Sequence, residues 1–211
     1  MNQVKMVPYY EVERHPQVRD VLNIIGELGY VAGSAARGVI ENEHDYNDID
    51  IIAMGEADLP QITRLLDRAE YRLSFESETA MSFVYFGPEE GNTRTVQVLL
   101  KRVGRPEETL PRFPLTVQQF AVWRNPGTKS FSSFQTIHAH GAAATRSFTL
   151  STGFNEHPAG FFRSAVKYLT KGYTLEDWRP VLLYLHDAMA DSDAYAFVTE
   201  FQENMFNPYA D

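Results

Sequence analysis

Apolar residues between Pro16 and Leu28 recur at the three- and four-residue intervals of one helix face: Val18, Val21, Leu22, Ile25 and Leu28, with Ile24 beside them. They predict a helix over 16–28, ended by Gly29. A short strand over 31–33, a turn and helix over 34–40 and a second strand over 49–54 follow. Leu59, Ile62, Leu65 and Leu66 then form the inward stripe of a helix over 59–69. Segments 71–75, 81–86 and 93–100 read as strands, the last two joined by a hairpin turn at Gly87-Pro88-Glu89-Glu90-Gly91-Asn92. This order predicts an α+β fold with one mixed sheet and flanking helices.

The pattern changes near Trp123. Helical periodicity is lost from there to Pro158, and so long a connection is expected to contain short strands or a functional loop. Three helices are expected beyond it, over 159–171, 176–189 and 194–205, with Leu175, Trp178, Val181, Leu182, Leu185 and Met189 on the apolar face of the middle one. The expected organisation is a catalytic domain over 1–123, then a loop-rich segment and helical annex over 124–211.

Chemistry concentrates where the first strand turns into its helix. Gly33-Ser34-Ala35-Ala36-Arg37-Gly38 is a small-residue turn that lets backbone N–H groups approach phosphate oxygens, at the positive end of a helix. Asp48 and Asp50 lie two apart on the next strand and share a face. Paired carboxylates suit Mg²⁺, which completes its shell with water and substrate phosphates, and such a site can promote in-line transfer of a nucleotidyl group. Read without function, the same residues make a strand-turn-helix with two solvated carboxylates at a sheet edge. Arg37 reads either as a phosphate contact or as a surface side chain in the first helical turn.

Gly33-Ser34-x-Ala36-Arg37-Gly38 followed by Asp48-x-Asp50 resembles the signature of the DNA polymerase beta-like nucleotidyltransferase superfamily, with wording similar to that of its minimal members. The rest of the chain resembles the head domain of tRNA CCA-adding enzymes and bacterial poly(A) polymerases. A helix over 18–28 precedes the turn, and segments 82–86 and 95–102 follow it. Pro114-Leu115-Thr116-Val117-Gln118-Gln119 and a helix over 160–168 complete the order. The resemblance implies a nucleotidyltransferase fold and transfer of a nucleoside monophosphate from a nucleoside triphosphate, ATP among the candidates, to a hydroxyl. The acceptor would be an RNA or tRNA 3′ end, a protein side chain or a small molecule. It further implies Mg²⁺ or Mn²⁺ held by Asp48 and Asp50, triphosphate at Gly33 and Ser34, and phosphate charge met by Arg37, Arg163 and Lys167. The chain departs from the family at Gln97, where a third carboxylate is often found, and at Glu156-His157-Pro158-Ala159-Gly160, which lacks the Asp and Arg of the base-reading motif. A literal Glu176-Asp177-Trp178-Arg179 comes after the position that motif requires. These departures keep a second expectation open: a catalytically decayed fold that binds a nucleotide, RNA or protein, or a component of a toxin–antitoxin pair.

Charge and composition narrow the partners. A formal net charge of −9 leaves no bulk field for tracking a long nucleic acid, although Arg94, Lys101, Arg102, Arg105, Arg163, Lys167 and Lys171 offer a local basic surface. Compact acceptors fit the acidity and the stop at Asp211; the family order fits tRNA. With 44% apolar and 22% charged residues the chain reads as a soluble protein. The absence of cysteine excludes disulfides and thiolate metal sites. No apolar run is long enough to span a membrane, and Glu11 and Glu13 interrupt the region where a signal peptide would be apolar, so the expected location is cytoplasmic. His138 and His140 would share a face of any strand there and could pair on a metal. His186-Asp187 reads as a helix-surface pair.

Overall fold

An eight-stranded sheet occupies the first of two units into which the chain divides. That unit comprises Met1–Leu110 and Gln118–Ile137; the second comprises Pro111–Val117 and His138–Asp211. The structure is a computed structural model and describes residues 3–44, 46–86, 93–151, 158–179 and 181.

The strands are β1 (Gln3–Val7), β2 (Gly29–Ala32), β3 (Asp48–Ala53), β4 (Arg72–Glu76), β5 (Ala80–Phe86), β6 (Thr93–Val103), β7 (Phe120–Arg124) and β8 (Phe131–Gln135). Their order in the sheet is β1-β8-β7-β2-β3-β6-β5-β4. Every neighbouring pair is antiparallel except β3 and β6, so the sheet is mixed, as the sequence predicts. One row of paired residues crosses all eight strands: Val4, Phe134, Ala121, Ala32, Asp50, Gln97, Ser82 and Phe75.

Paired residues in a sheet point to the same side, and successive residues to opposite sides. Ile49 and Ile51 of β3 therefore lie on the face of Val96 and Val98 of β6, and all four are buried. Asp48 and Asp50 take the other face, half-buried. The helices of this unit are α1 (Tyr9–Glu13), α2 (Pro16–Ile25), α3 (Gly33–Glu41), α4 (Leu59–Arg68) and the short α5 (Pro106–Thr109). Val18, Val21, Leu22 and Ile25 of α2, and Ile62 and Leu66 of α4, are buried. Each such side chain contributes about 1.5–3 kcal/mol of burial free energy.

The second unit contains α6 (Ile137–Thr145), β9 (Ser147–Phe148), α7 (Pro158–Thr170) and β10 (Thr174–Leu175), with β9 and β10 paired in parallel. Its core gathers Leu115, Val117, Ala142, Phe148, Ala165, Tyr168, Tyr173, Leu175 and Val181. Tyr168 meets Tyr173 edge to face at 5.4 Å between ring centroids.

Several elements differ from expectation. Gly26, at φ 60°, ends α2 three residues before Gly29, which instead opens β2. A side chain at Gly29 would stand 2.7 Å from the Ile52 carbonyl oxygen, so close strand approach explains that glycine. The aperiodic stretch after Trp123 contains short strands as expected, β8 and β9, but also a helix, α6, and the division expected after Trp123 falls within β7. The helix expected over 176–189 does not begin at Glu176, since residues 176–178 are not helical; its positions 182–189, with His186 and Asp187, lie outside the described residues, as do the turn at 87–92 and the helix expected over 194–205. No helix among the described residues is long and apolar enough to cross a membrane.

Candidate nucleotide and metal site

β2 remains extended to Ala32, then Gly33 turns the chain into α3 at φ 70°, a conformation that disfavours any side chain. Ala32 pairs with Asp50, which brings this turn against the carboxylate: a Cβ on Gly33 would lie 3.2 Å from Asp50 Oδ2. Ser34 follows in the first turn of α3, 8% exposed. The residue that caps α3, Ala32, makes no side-chain hydrogen bond to the helix. The first N–H groups of a helix have no acceptor within it, and here they open beside Asp50.

Asp48 and Asp50 sit on one face of β3. In register, Gln97 lies opposite Asp50 and Thr95 opposite Asp48 on β6, about 4.8 Å away across the strand pair. Thus four side chains of two central strands form a polar patch: two carboxylates, an amide and a hydroxyl. Thr95 was invisible as a site residue because strand alternation alone does not give the β3–β6 register. On the same face, buried Tyr30 pairs with Ile52 and hydrogen-bonds Thr109 of α5. Among the described residues no group of three or more His, Cys, Asp or Glu gathers as a metal site. Two hard carboxylates beside a neutral amide nevertheless fit Mg²⁺, which commonly takes one or two protein carboxylates.

Arg37 departs from its expected role as a phosphate contact. Its side chain is 1% exposed, with Nη2 3.6 Å from Glu43 and Nε 4.0 Å from Glu41. A guanidinium this buried requires anionic partners, and the last turn of α3 and the residue pair beyond it supply them. Burial of Glu41 outweighs the attraction of Arg37 and pushes its carboxyl up to about 7.

Arg163 and Lys167 fall on α7 in the second unit, one turn apart, at positions about 40° apart around the helix. The structure brings Gly33, Ser34, Asp48, Asp50 and Gln97 together within the first unit. His138 and His140 do not share a strand face: both are on α6, where two residues apart means nearly opposite sides, and both are exposed. In the Glu176–Arg179 stretch, Arg179 donates to the carboxylate of its neighbour Asp177 at 2.7 and 2.8 Å.

This mixed sheet, with a glycine turn beside Asp50, is a nucleotidyltransferase-like fold, and solved structures bear that out. A CCA-adding enzyme of Thermotoga maritima in complex with tRNA matches with a TM-score of 0.62 at 17% identity, over 89% of this chain and 47% of that one. A CCA-adding enzyme bound to CTP matches with a TM-score of 0.62 at 15% identity, over 99% and 58%. One bound to ATP matches with a TM-score of 0.57 at 18% identity, over 84% and 43%. The fold thus resembles the head region of these enzymes, and the chain spans about half the length of the structures it matches. No protein-family model and no curated protein matches the chain.

Proposed function

We propose that the chain is a metal-dependent nucleotidyltransferase that moves a nucleoside monophosphate from a nucleoside triphosphate to a hydroxyl, with release of pyrophosphate. The observation that carries this reading is the approach of the Gly33 turn to Asp50 Oδ2, which puts the proposed phosphate-binding backbone beside a proposed metal ligand. Asp48 and Asp50 would hold Mg²⁺ or Mn²⁺, which when bound supplies Lewis-acid stabilisation of phosphoryl oxygens and of the attacking hydroxyl. The N–H groups of Gly33 and Ser34 would orient the triphosphate through charge-assisted hydrogen bonds. Arg37 takes no part in this scheme, since Glu41 and Glu43 engage it. Arg163 and Lys167, one turn apart on α7, are proposed as cations for phosphate charge. The neighbours bound to tRNA, CTP and ATP support an RNA end as acceptor and a nucleoside triphosphate as donor.

The test is transfer from α-labelled nucleoside triphosphates into lysate RNA and protein, with Mg²⁺ or Mn²⁺. Asp48→Asn and Asp50→Asn should each lower transfer about a hundredfold or more with the fold intact by circular dichroism. Undiminished transfer in both variants would remove the metal site.

A second reading rests on Gln97. A neutral amide beside Asp50 can neither accept a proton as a base nor add negative charge to a metal site, which favours a fold that binds nucleotide, RNA or protein without turnover. Gln97→Asp decides: a large gain in transfer marks a decayed site, and no gain leaves the first reading in place.

A further inference from the structure

The loop that delivers Asp48 to the sheet is fastened to two helices by residues outside the proposed site. His15 stands immediately before α2 and is fully buried; its Nδ1 shares a hydrogen bond with the Tyr46 hydroxyl at 3.1 Å. The His44 ring stacks on His15, with centroids 4.3 Å apart and planes at 23°. The Tyr46 ring in turn lies against α3. A Cβ on Gly38 would fall 2.9 Å from that ring and 2.5 Å from the Glu43 carbonyl oxygen, while the Glu43 N–H donates to the Gly38 carbonyl at 2.9 Å. Asn47 alone separates Tyr46 from Asp48.

His15 carries a polar cost in this setting. Its Nε2 has no hydrogen-bond partner among the described residues, and an unsatisfied buried nitrogen is destabilising. Burial, reinforced by His44 and Arg14 and opposed by Glu11, holds the imidazole below its usual pKa. A Leu or Met of similar volume would fill the space without that cost. What a hydrophobic side chain lacks is a group that fixes the Tyr46 hydroxyl, and through it the entry of β3.

We propose that His15 and Tyr46 are positioning residues for Asp48: their hydrogen bond, clamped by His44 and by the close contact at Gly38, sets where the first carboxylate of the pair stands. The inference rests on the metal role of Asp48 proposed above. Neither residue touches substrate; both act through the backbone between Tyr46 and Asp48.

The experiment compares the full chain with Tyr46→Phe, which keeps the ring against Gly38 and loses the hydroxyl, with His15→Ala, and with His15→Asn, whose amide can replace Nδ1 as a partner. Three properties are measured: Mn²⁺ affinity by titration, transfer at saturating metal, and hydrogen exchange of backbone amides in 42–50 by mass spectrometry. Tyr46→Phe and His15→Ala should weaken Mn²⁺ at least fivefold while saturating turnover stays within threefold, and exchange should accelerate at least fivefold in 42–50 but not in β7 or β8. His15→Asn should recover most of both effects. Unchanged Mn²⁺ affinity and exchange in Tyr46→Phe and His15→Ala would overturn the proposal, and acceleration spread through the sheet would show a merely structural role, overturning it as well. If the unsubstituted chain binds no Mn²⁺, the metal reading fails by itself, and exchange confined to 42–50 still decides whether His15 and Tyr46 fix Asp48.

Discussion

Gly33 is where backbone geometry and chemistry constrain the same atom. At φ 70° an L side chain is strained by roughly 1–2 kcal/mol, and its Cβ would crowd Asp50 Oδ2. Gly33→Ala should therefore displace the carboxylate as well as the turn: transfer is expected to fall at least tenfold, while thermal unfolding shifts by only a few degrees. Steady-state kinetics beside a melting curve checks this. Glu41 has an effect of opposite origin, in which burial raises a carboxyl to about 7 from 4.5. The folded chain then binds this proton more tightly than the unfolded chain, so the group's stabilising contribution is complete below about 4.5 and is lost as pH rises through about 7. Glu41→Gln should accordingly be relatively more stable at pH 8 than at pH 4.5, as denaturant unfolding at the two values would reveal. Arg37 retains Glu43 as its counterion in that variant.

At the scale of elements, the helices and strands with clean periodicity were legible and those built from pairing were not. α2 buries Val18, Val21, Leu22 and Ile25 of the stripe its spacing announces, and α4 buries Ile62 and Leu66 while Leu59 and Leu65 stay half-buried. β1 escaped notice because its apolar Val4 and Met6 face solvent and, among its described side chains, only Val7 is buried, so it presents no apolar alternation toward a core. α6 escaped because Ile137-His138-Ala139-His140-Gly141 has almost no sidedness; Ala139 and Ala142 are its buried positions. The turn and the Asp-x-Asp strand were readable because both depend on local rules, a glycine at positive φ and side chains two apart. Gln97 was reached through the family resemblance, whereas Thr95 and the diversion of Arg37 depend on register and burial, which one sequence does not display. Two element-scale predictions follow from packing. Leu22→Ala, in the middle of the buried face of α2, should cost about 2–5 kcal/mol in denaturant unfolding. Gly38→Ala should cost about 1–3 kcal/mol, because its methyl group would meet the Glu43 carbonyl and the Tyr46 ring.

Across the whole molecule, charge limits what an RNA acceptor can contribute. The net charge is −9, and several exposed cations are already matched, as Arg72 is by Asp67 and Lys101 by Glu78. Binding to a duplex without a 3′ end should be no tighter than the weak non-specific range, about 10⁻⁴–10⁻⁶ M, with a shallow dependence on salt. A filter-binding salt series would test this. The row running from Val4 to Phe75 also imposes an order on biosynthesis. Residues of β2 to β6 can assemble, with Asp50 beside Gln97, once the chain has been made to Val103. β1 cannot join them: its pairing partner is β8, and a ribosome must add the residues through Gln135 before that strand exists. β1, synthesised before the other strands of this sheet, is thus among the last to be placed, so Val4 and Met6 wait in solvent, open to chaperones, while the central strands of the sheet are already made.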